Sequence, residues 1–192
     1  MSLKILKVKW ALCFGVASLV GGVSLGHAGT YQVAQGSEVQ FVAKITGSSY
    51  RAGSSEIVGT VELDEAGTRL VSASFRVKAD SLDTGVALRN QHMNENYLEV
   101  KQFPWITFEA SDQGGASGVG ESSEVVGYWL LHGVRREATL KLVVKRRSET
   151  ELVLGAVFPL NILDYNIKQP RFTVVKMKPV VKVKVNLVLR KQ

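Results

Sequence analysis

From Glu38 to Leu189, apolar residues recur at every second position in run after run, and this alternation commits the chain to an all-β fold. Successive side chains on a strand point to opposite faces, so a period of two marks one apolar and one polar face. Val39, Phe41, Ala43 and Ile45 form the first clear run. Ile57, Gly59, Val61 and Leu63 form the second, and Val71, Ala73, Phe75 and Val77 the third. Ile106, Phe108 and Ala110 follow, then Ala138, Leu140, Leu142 and Val144, and last Val181, Val183, Val185, Leu187 and Leu189. Val125–His132 and Leu152–Leu160 are apolar on both faces, and Pro159 assigns the latter to a strand end or an edge position.

About eight strands result, separated by turn-forming clusters such as Asp64-Glu65-Ala66-Gly67 and Arg146-Arg147-Ser148-Glu149. Short connections favour antiparallel neighbours. Eight strands with one apolar face each can bury it by closing into an antiparallel barrel, which also removes free edges. A β-sandwich is the alternative architecture. A barrel of this size is either filled by its own side chains or holds one small ligand. The inward positions are Val, Leu, Ile, Phe and Ala almost without charge, so an occupant would be a hydrocarbon rather than a sugar or an ion. Alternation alone leaves filled and hollow both open.

One segment breaks the pattern. Between Ser81 and Phe108 a turn-forming Asp83-Thr84-Gly85 is followed by Arg89, Asn90, His92, Asn94, Glu95 and Asn96 within eight residues. The chain then returns to a strand through Phe103-Pro104. A polar, partly helical insert in an all-β chain is expected to act as a cap.

The first 28 residues read as a secretory signal peptide rather than as part of the fold. Lys4, Lys7 and Lys9 precede an apolar run from Trp10 to Leu25, and Gly26-His27-Ala28 supplies small residues for cleavage. That run is shorter than the roughly 20 residues a bilayer-spanning helix needs. Residues 29–192 are then a single domain, with the periplasm its expected compartment. The sole cysteine, Cys13, lies within the leader, so the remaining chain has neither disulfide nor thiol chemistry. Removing three of 24 basic residues with the leader leaves 21 against 17 acidic, a net charge of +4.

That charge does not interleave with aromatics as in a nucleic-acid binder. Lys182 and Lys184 share one strand face, and Lys145-Arg146-Arg147 sits in a turn. Both read as solvated β-surface, with mild attraction to anionic membrane surfaces as a second possibility. The domain's two histidines, His92 and His132, lie 40 residues apart without thiolate partners, so no metal site and no cofactor are expected. His132 reads as a hydrogen-bonded structural histidine, and His92 as the better functional candidate within the insert. No nucleophile elbow, P-loop or dinucleotide fingerprint is present, and no catalytic residue is assigned.

Three blocks in order carry a resemblance. The first is Ser-Leu-Asp-Thr-Gly at 81–85, then Leu88-Arg89-Asn90-Gln91-His92-Met93, then Tyr97 to Phe108. The second is Leu131-His132-Gly133-Val134 followed by Ala138-Thr139-Leu140. The third is Leu160 to Ile167. Together they resemble the YceI-like family of exported bacterial proteins, over about residues 30–189. The resemblance implies an eight-stranded antiparallel lipocalin-like barrel with a short helical insert and an internal apolar tunnel. It also implies a non-enzymatic periplasmic carrier of a long-chain amphiphilic lipid, of isoprenoid quinone or polyprenyl type. Asn90 departs from the Asp usual in that family after the arginine, and Leu163 and Asn166 depart in the third block.

On this basis the lipid tail is expected among Phe41, Val61, Phe75, Val77, Ile106 and Phe108, with Arg89, Asn90 and His92 at the barrel mouth. Transient contact with a membrane surface is expected, and the oligomeric state, a homodimer included, is left open. A filled barrel with a structural role and a small lipid-modifying enzyme are the alternatives.

Overall fold

The computed structural model describes residues 29–111, 122–172 and 175–192. The leader read over residues 1–28 and the Gly- and Ser-rich loop read over Gly114–Gly120 lie outside the described residues.

The described chain forms an up-and-down antiparallel barrel whose first two strands are each broken once. β1 (Gly29–Val33) and β2 (Glu38–Ile45) both pair with the last strand, β12 (Val180–Lys191), Val33 opposite Leu189 and Val39 opposite Val185. They are two halves of one strand interrupted at Ala34–Ser37. The buried Ser37 stitches the break: its hydroxyl donates to the Ala34 carbonyl at 2.9 Å and accepts from the Val188 N–H at 2.9 Å. β3 (Ser48–Ser54) and β4 (Ile57–Leu63) repeat the device, β3 pairing with β2 and β4 with β1. At their break the Ser54 hydroxyl accepts the Glu56 N–H at 2.9 Å. Such interruptions let a strand bend hard enough to close a small barrel without leaving buried backbone groups unpaired.

β5 (Leu70–Lys78), β6 (Trp105–Ser111), β7 (Ser122–Leu131), β8 (Val134–Arg147) and β9 (Glu151–Asn161) follow, each antiparallel to the next. β9 pairs with β12 over eleven residues, and β12 closes on β1 and β2. With each broken strand counted once, eight strands close the barrel, the architecture the alternation predicts. Its inner face is the predicted one on every cleanly alternating strand. β10 (Arg171–Phe172) and β11 (Val175–Lys176) form a small separate hairpin between β9 and β12. Pro159 falls beyond Ala156, where the β8–β9 ladder ends, so its missing N–H costs no backbone bond on that side.

At the floor, the described links are the short turns after β4 and β8, and Leu63, Leu152 and Leu189 there are at most 1% exposed. The two-residue β2–β3 and β7–β8 hairpins lie at the mouth. With them stand the long links: residues 79–104 between β5 and β6, and 162–179 between β9 and β12. The first contains α1 (Ala87–Asn96) and the second a short 3-10 turn (Ile162–Tyr165). Met93 is the one buried residue of α1, packed with Ala52 and Leu82 against Phe41, Leu98 and Ile106. A helix with so little apolar contact needs another anchor, and polar groups supply it at the mouth.

Candidate functional site

Inside the barrel the inward side chains do not fill the lumen. They enclose a cavity of about 420 Å³ that runs from Leu63 and Leu70 near the floor to Val86 at the start of α1 and Leu88, Arg89 and His92 on it. Volumes of a few hundred Å³ with apolar walls and few polar groups suit a small-molecule site. The barrel is hollow, which alternation could not decide.

Of the nine side chains singled out from sequence, Phe41, Val61, Phe75, Val77, Ile106 and Phe108 line the wall, and Arg89 and His92 line the mouth. Asn90 does not. Its side chain turns back to the Asp83-Thr84-Gly85 turn, where Oδ1 accepts from the Thr84 N–H at 2.9 Å and from the Thr84 hydroxyl at 2.7 Å. Its Nδ2 donates to Asp83 Oδ1 at 2.7 Å. The same carboxylate oxygen accepts the Gly85 N–H at 2.7 Å. The amide of Asn90, and after it the Gly85 N–H, hold the Asp83 carboxyl below the usual carboxylate range. Asp83 in turn exchanges both backbone bonds with Gly53 of β3, at 3.0 and 2.9 Å. Asn90 therefore anchors α1 to the rim rather than facing the lumen.

Arg89 lies with its guanidinium 4.7 Å from the centre of the Tyr50 ring. Such a stack gives a cation a partner without a carboxylate and leaves it facing the cavity. Burial pushes the Tyr50 hydroxyl above the ordinary phenol range, opposed in part by that same guanidinium. The hydroxyl lies 3.1 Å from Met177 Sδ. Asn94 Oδ1 on α1 and Trp129 Nε1 in the wall are buried without a hydrogen-bond partner.

Sequence reasoning missed much of the wall. Trp129 and Phe158 stack across it at 5.6 Å, and Phe108 meets Trp129 at 4.8 Å. β7 and β9 are apolar on both faces over these residues, so period-two reading could not assign them an inner side. Gly127 is the available signal. A Cβ there would lie 2.5 Å from the Phe108 ring, so the glycine makes room for an inward aromatic on the neighbouring strand. His132 is structural, as expected: Nδ1 lies 3.1 Å from the Tyr165 carbonyl oxygen and Nε2 2.8 Å from the Glu99 carboxylate. Among the described residues no cluster of three metal-ligating side chains occurs.

A profile of the YceI-like domain matches residues 31–189. BcnA of Burkholderia cenocepacia superposes with a TM-score of 0.65 at 20% identity, covering 79% of this chain and 95% of that one. A polyisoprenoid binding domain from Saccharophagus degradans, implicated in plant cell wall breakdown, gives 0.63 at 18% identity, covering 86% and 100%. The YCEI protein of Campylobacter jejuni gives 0.62 at 12% identity, covering 72% and 82%. At these identities the solved structures establish the shared barrel. A search of curated proteins finds no match.

Proposed function

Because the chain belongs to the YceI-like family, we propose that it is a periplasmic carrier that holds one long-chain isoprenoid lipid in the barrel cavity. The observation that carries this reading is the cavity itself: apolar from floor to rim, with a cation and an imidazole placed at its mouth. Burial of a hydrocarbon chain contributes ~0.8 kcal/mol per CH₂, so about ten methylenes offer roughly 8 kcal/mol before the costs of ordering. The floor residues Leu63, Leu152 and Leu189 stop the tail, so the head group is left near α1. There Arg89 donates to an anionic or carbonyl head, and His92 stands one turn further along the helix. A polyisoprenoid binding domain among the structural neighbours supports this ligand class. The leader over residues 1–28, removed on export, supports the compartment.

The test is uptake. Protein stripped of lipid in detergent and returned to buffer is expected to bind a fluorescent polyprenyl probe with one site per chain. Ala substitution at His92 or at His132 leaves that uptake largely intact in a carrier. Chemical turnover of the bound lipid that stops with either substitution would favour an enzyme instead. Absence of saturable uptake would return the barrel to a structural role.

A further inference from the structure

We infer that the outer face formed by β3, β2, β12 and β9 is a docking surface for an anionic phospholipid bilayer, an inference that extends the lipid-carrier reading. The charge of this chain is not spread evenly. From Tyr165 to Gln192 there are eight basic residues and no acidic one. The register converts that sequence bias into one patch. Lys182 of β12 lies beside Val42 of β2 on one side and Pro159 of β9 on the other, and Val42 lies beside Arg51 of β3. One row further along, Lys184 lies beside Val157. Towards the mouth, the Lys178 N–H bonds the Lys44 carbonyl at 2.7 Å, which brings those two lysines to the same rim.

Arg51, Lys44, Lys178, Lys182 and Lys184 are all exposed, and among the described residues no carboxylate lies within ion-pair distance of any of them. The carboxylates on this face, Glu38 of β2 and Glu151 of β9, lie in the rows beyond Lys184 on the side away from the mouth, beside Asn186 and Arg190. On the opposite flank Glu62, Glu109, Glu124 and Glu137 are interspersed with the cations, and Lys141 pairs with Glu124 at 3.6 Å.

Three features select a bilayer over a nucleic acid. Exposed apolar side chains stand among the cations, Val157 at 56% and Val180 at 49% exposure, and suit an interface of phosphate and acyl chain. The outward positions of these strands carry no aromatic ring for a base to stack on. The patch is also continuous with the cavity mouth: Ile167 and Met177, next to Lys168, Lys176 and Lys178 in the chain, line the cavity. A barrel seated on this face brings its opening to the headgroups a lipid must cross.

The protein is sedimented with vesicles of phosphatidylglycerol and phosphatidylethanolamine, and with phosphatidylcholine vesicles as the neutral control. Binding to the anionic vesicles alone is expected, lost in about 1 M salt, where the screening length shrinks to about 3 Å. Exchanging Arg51→Glu, Lys182→Glu and Lys184→Glu together is expected to lower partitioning by about a hundredfold or more. Lys78→Glu, Arg135→Glu and Lys141→Glu on the opposite flank are expected to change it only a fewfold. Lys182→Gln with Lys184→Gln gives a milder pair whose loss must follow the same order. Equal loss in both triple variants, binding that persists in the first, or tighter binding to duplex DNA than to the vesicles overturns the inference. Lipid content by native mass spectrometry, read on the same variants, reports the cavity separately, so an empty cavity and a failed docking face give different results.

Discussion

The imidazole of His132 bridges the carboxylate of Glu99 at 2.8 Å and the carbonyl oxygen of Tyr165 at 3.1 Å, and so ties together three separate connections at the barrel mouth. Phe103 packs on the same ring with centroids 4.5 Å apart, and Arg136 bonds the Asp164 carbonyl beside it. His132→Ala is expected to destabilise the domain by about 1–3 kcal/mol, since it strips a partly buried network of its central member. Hydrogen exchange should rise first over residues 97–104 and 162–166. Exchange that rises instead at the floor would separate this contact from the rim.

The turn that carries His132 makes a second, sharper prediction. His132 and Gly133 both have positive φ, 51° and 73°, between the paired residues Leu131 and Val134, which is the backbone of a two-residue type I′ hairpin. A Cβ on Gly133 would also lie 2.6 Å from the Phe103 ring. Gly85 has a similar φ of 74° with open space around it. Gly133→Ala is therefore expected to cost about 2–3 kcal/mol and Gly85→Ala about 1 kcal/mol, measured by urea denaturation. Equal costs would show that backbone strain alone matters at both.

At the start of α1, the depressed Asp83 carboxyl depends first on Asn90 and then on the Gly85 N–H. Asn90→Ala is expected to bring its titration back towards the ordinary carboxylate range, followed by carboxyl-carbon NMR. Asn90→Asp sets a second carboxylate where the amide donated at 2.7 Å, and the two acids should then titrate in separate steps, one of them raised. Ligand uptake should survive both, since Asn90 is not on the cavity wall. An unshifted Asp83 in Asn90→Ala would contradict the hydrogen-bond cause.

Burial also pushes the hydroxyls of Tyr50 and Tyr165 above the free-phenol range. Their protons are held more tightly in the folded chain than in the unfolded one, so stability is full below about pH 10 and falls as pH rises past it. The melting temperature is expected to drop across that interval in the parent protein and less steeply in a Tyr50→Phe, Tyr165→Phe double variant. Identical slopes would locate the alkaline sensitivity elsewhere.

How much of this could be read from sequence depends on which constraint wrote it. Strands with one buried and one solvated face record their inner side residue by residue, so Phe41, Val61, Phe75, Val77, Ile106 and Phe108 were found on the lumen wall. Trp129 and Phe158 were not, because both faces of their strands are apolar and the period vanishes. The breaks between β1 and β2 and between β3 and β4 rest on serine hydroxyls that serve backbone groups, which leaves no periodic trace. The sequence groups Asn90 with its neighbours Arg89 and His92, yet on a helix adjacent residues point about 100° apart, and it serves the turn instead. The basic face needs register: Arg51 and Lys182 are 131 positions apart and meet only across Val42.

Whether the cavity holds a long isoprenoid chain is read by native mass spectrometry of the protein isolated from its own cells, compared with an Ala156→Phe variant. Ala156 is buried and lines the lumen, so a phenyl ring there occupies ligand volume. The carrier reading predicts one adduct per chain with the mass of a polyprenyl or quinone lipid in the parent, and its loss in a variant that remains folded. No adduct in the parent, together with no uptake of a polyprenyl probe, would contradict it.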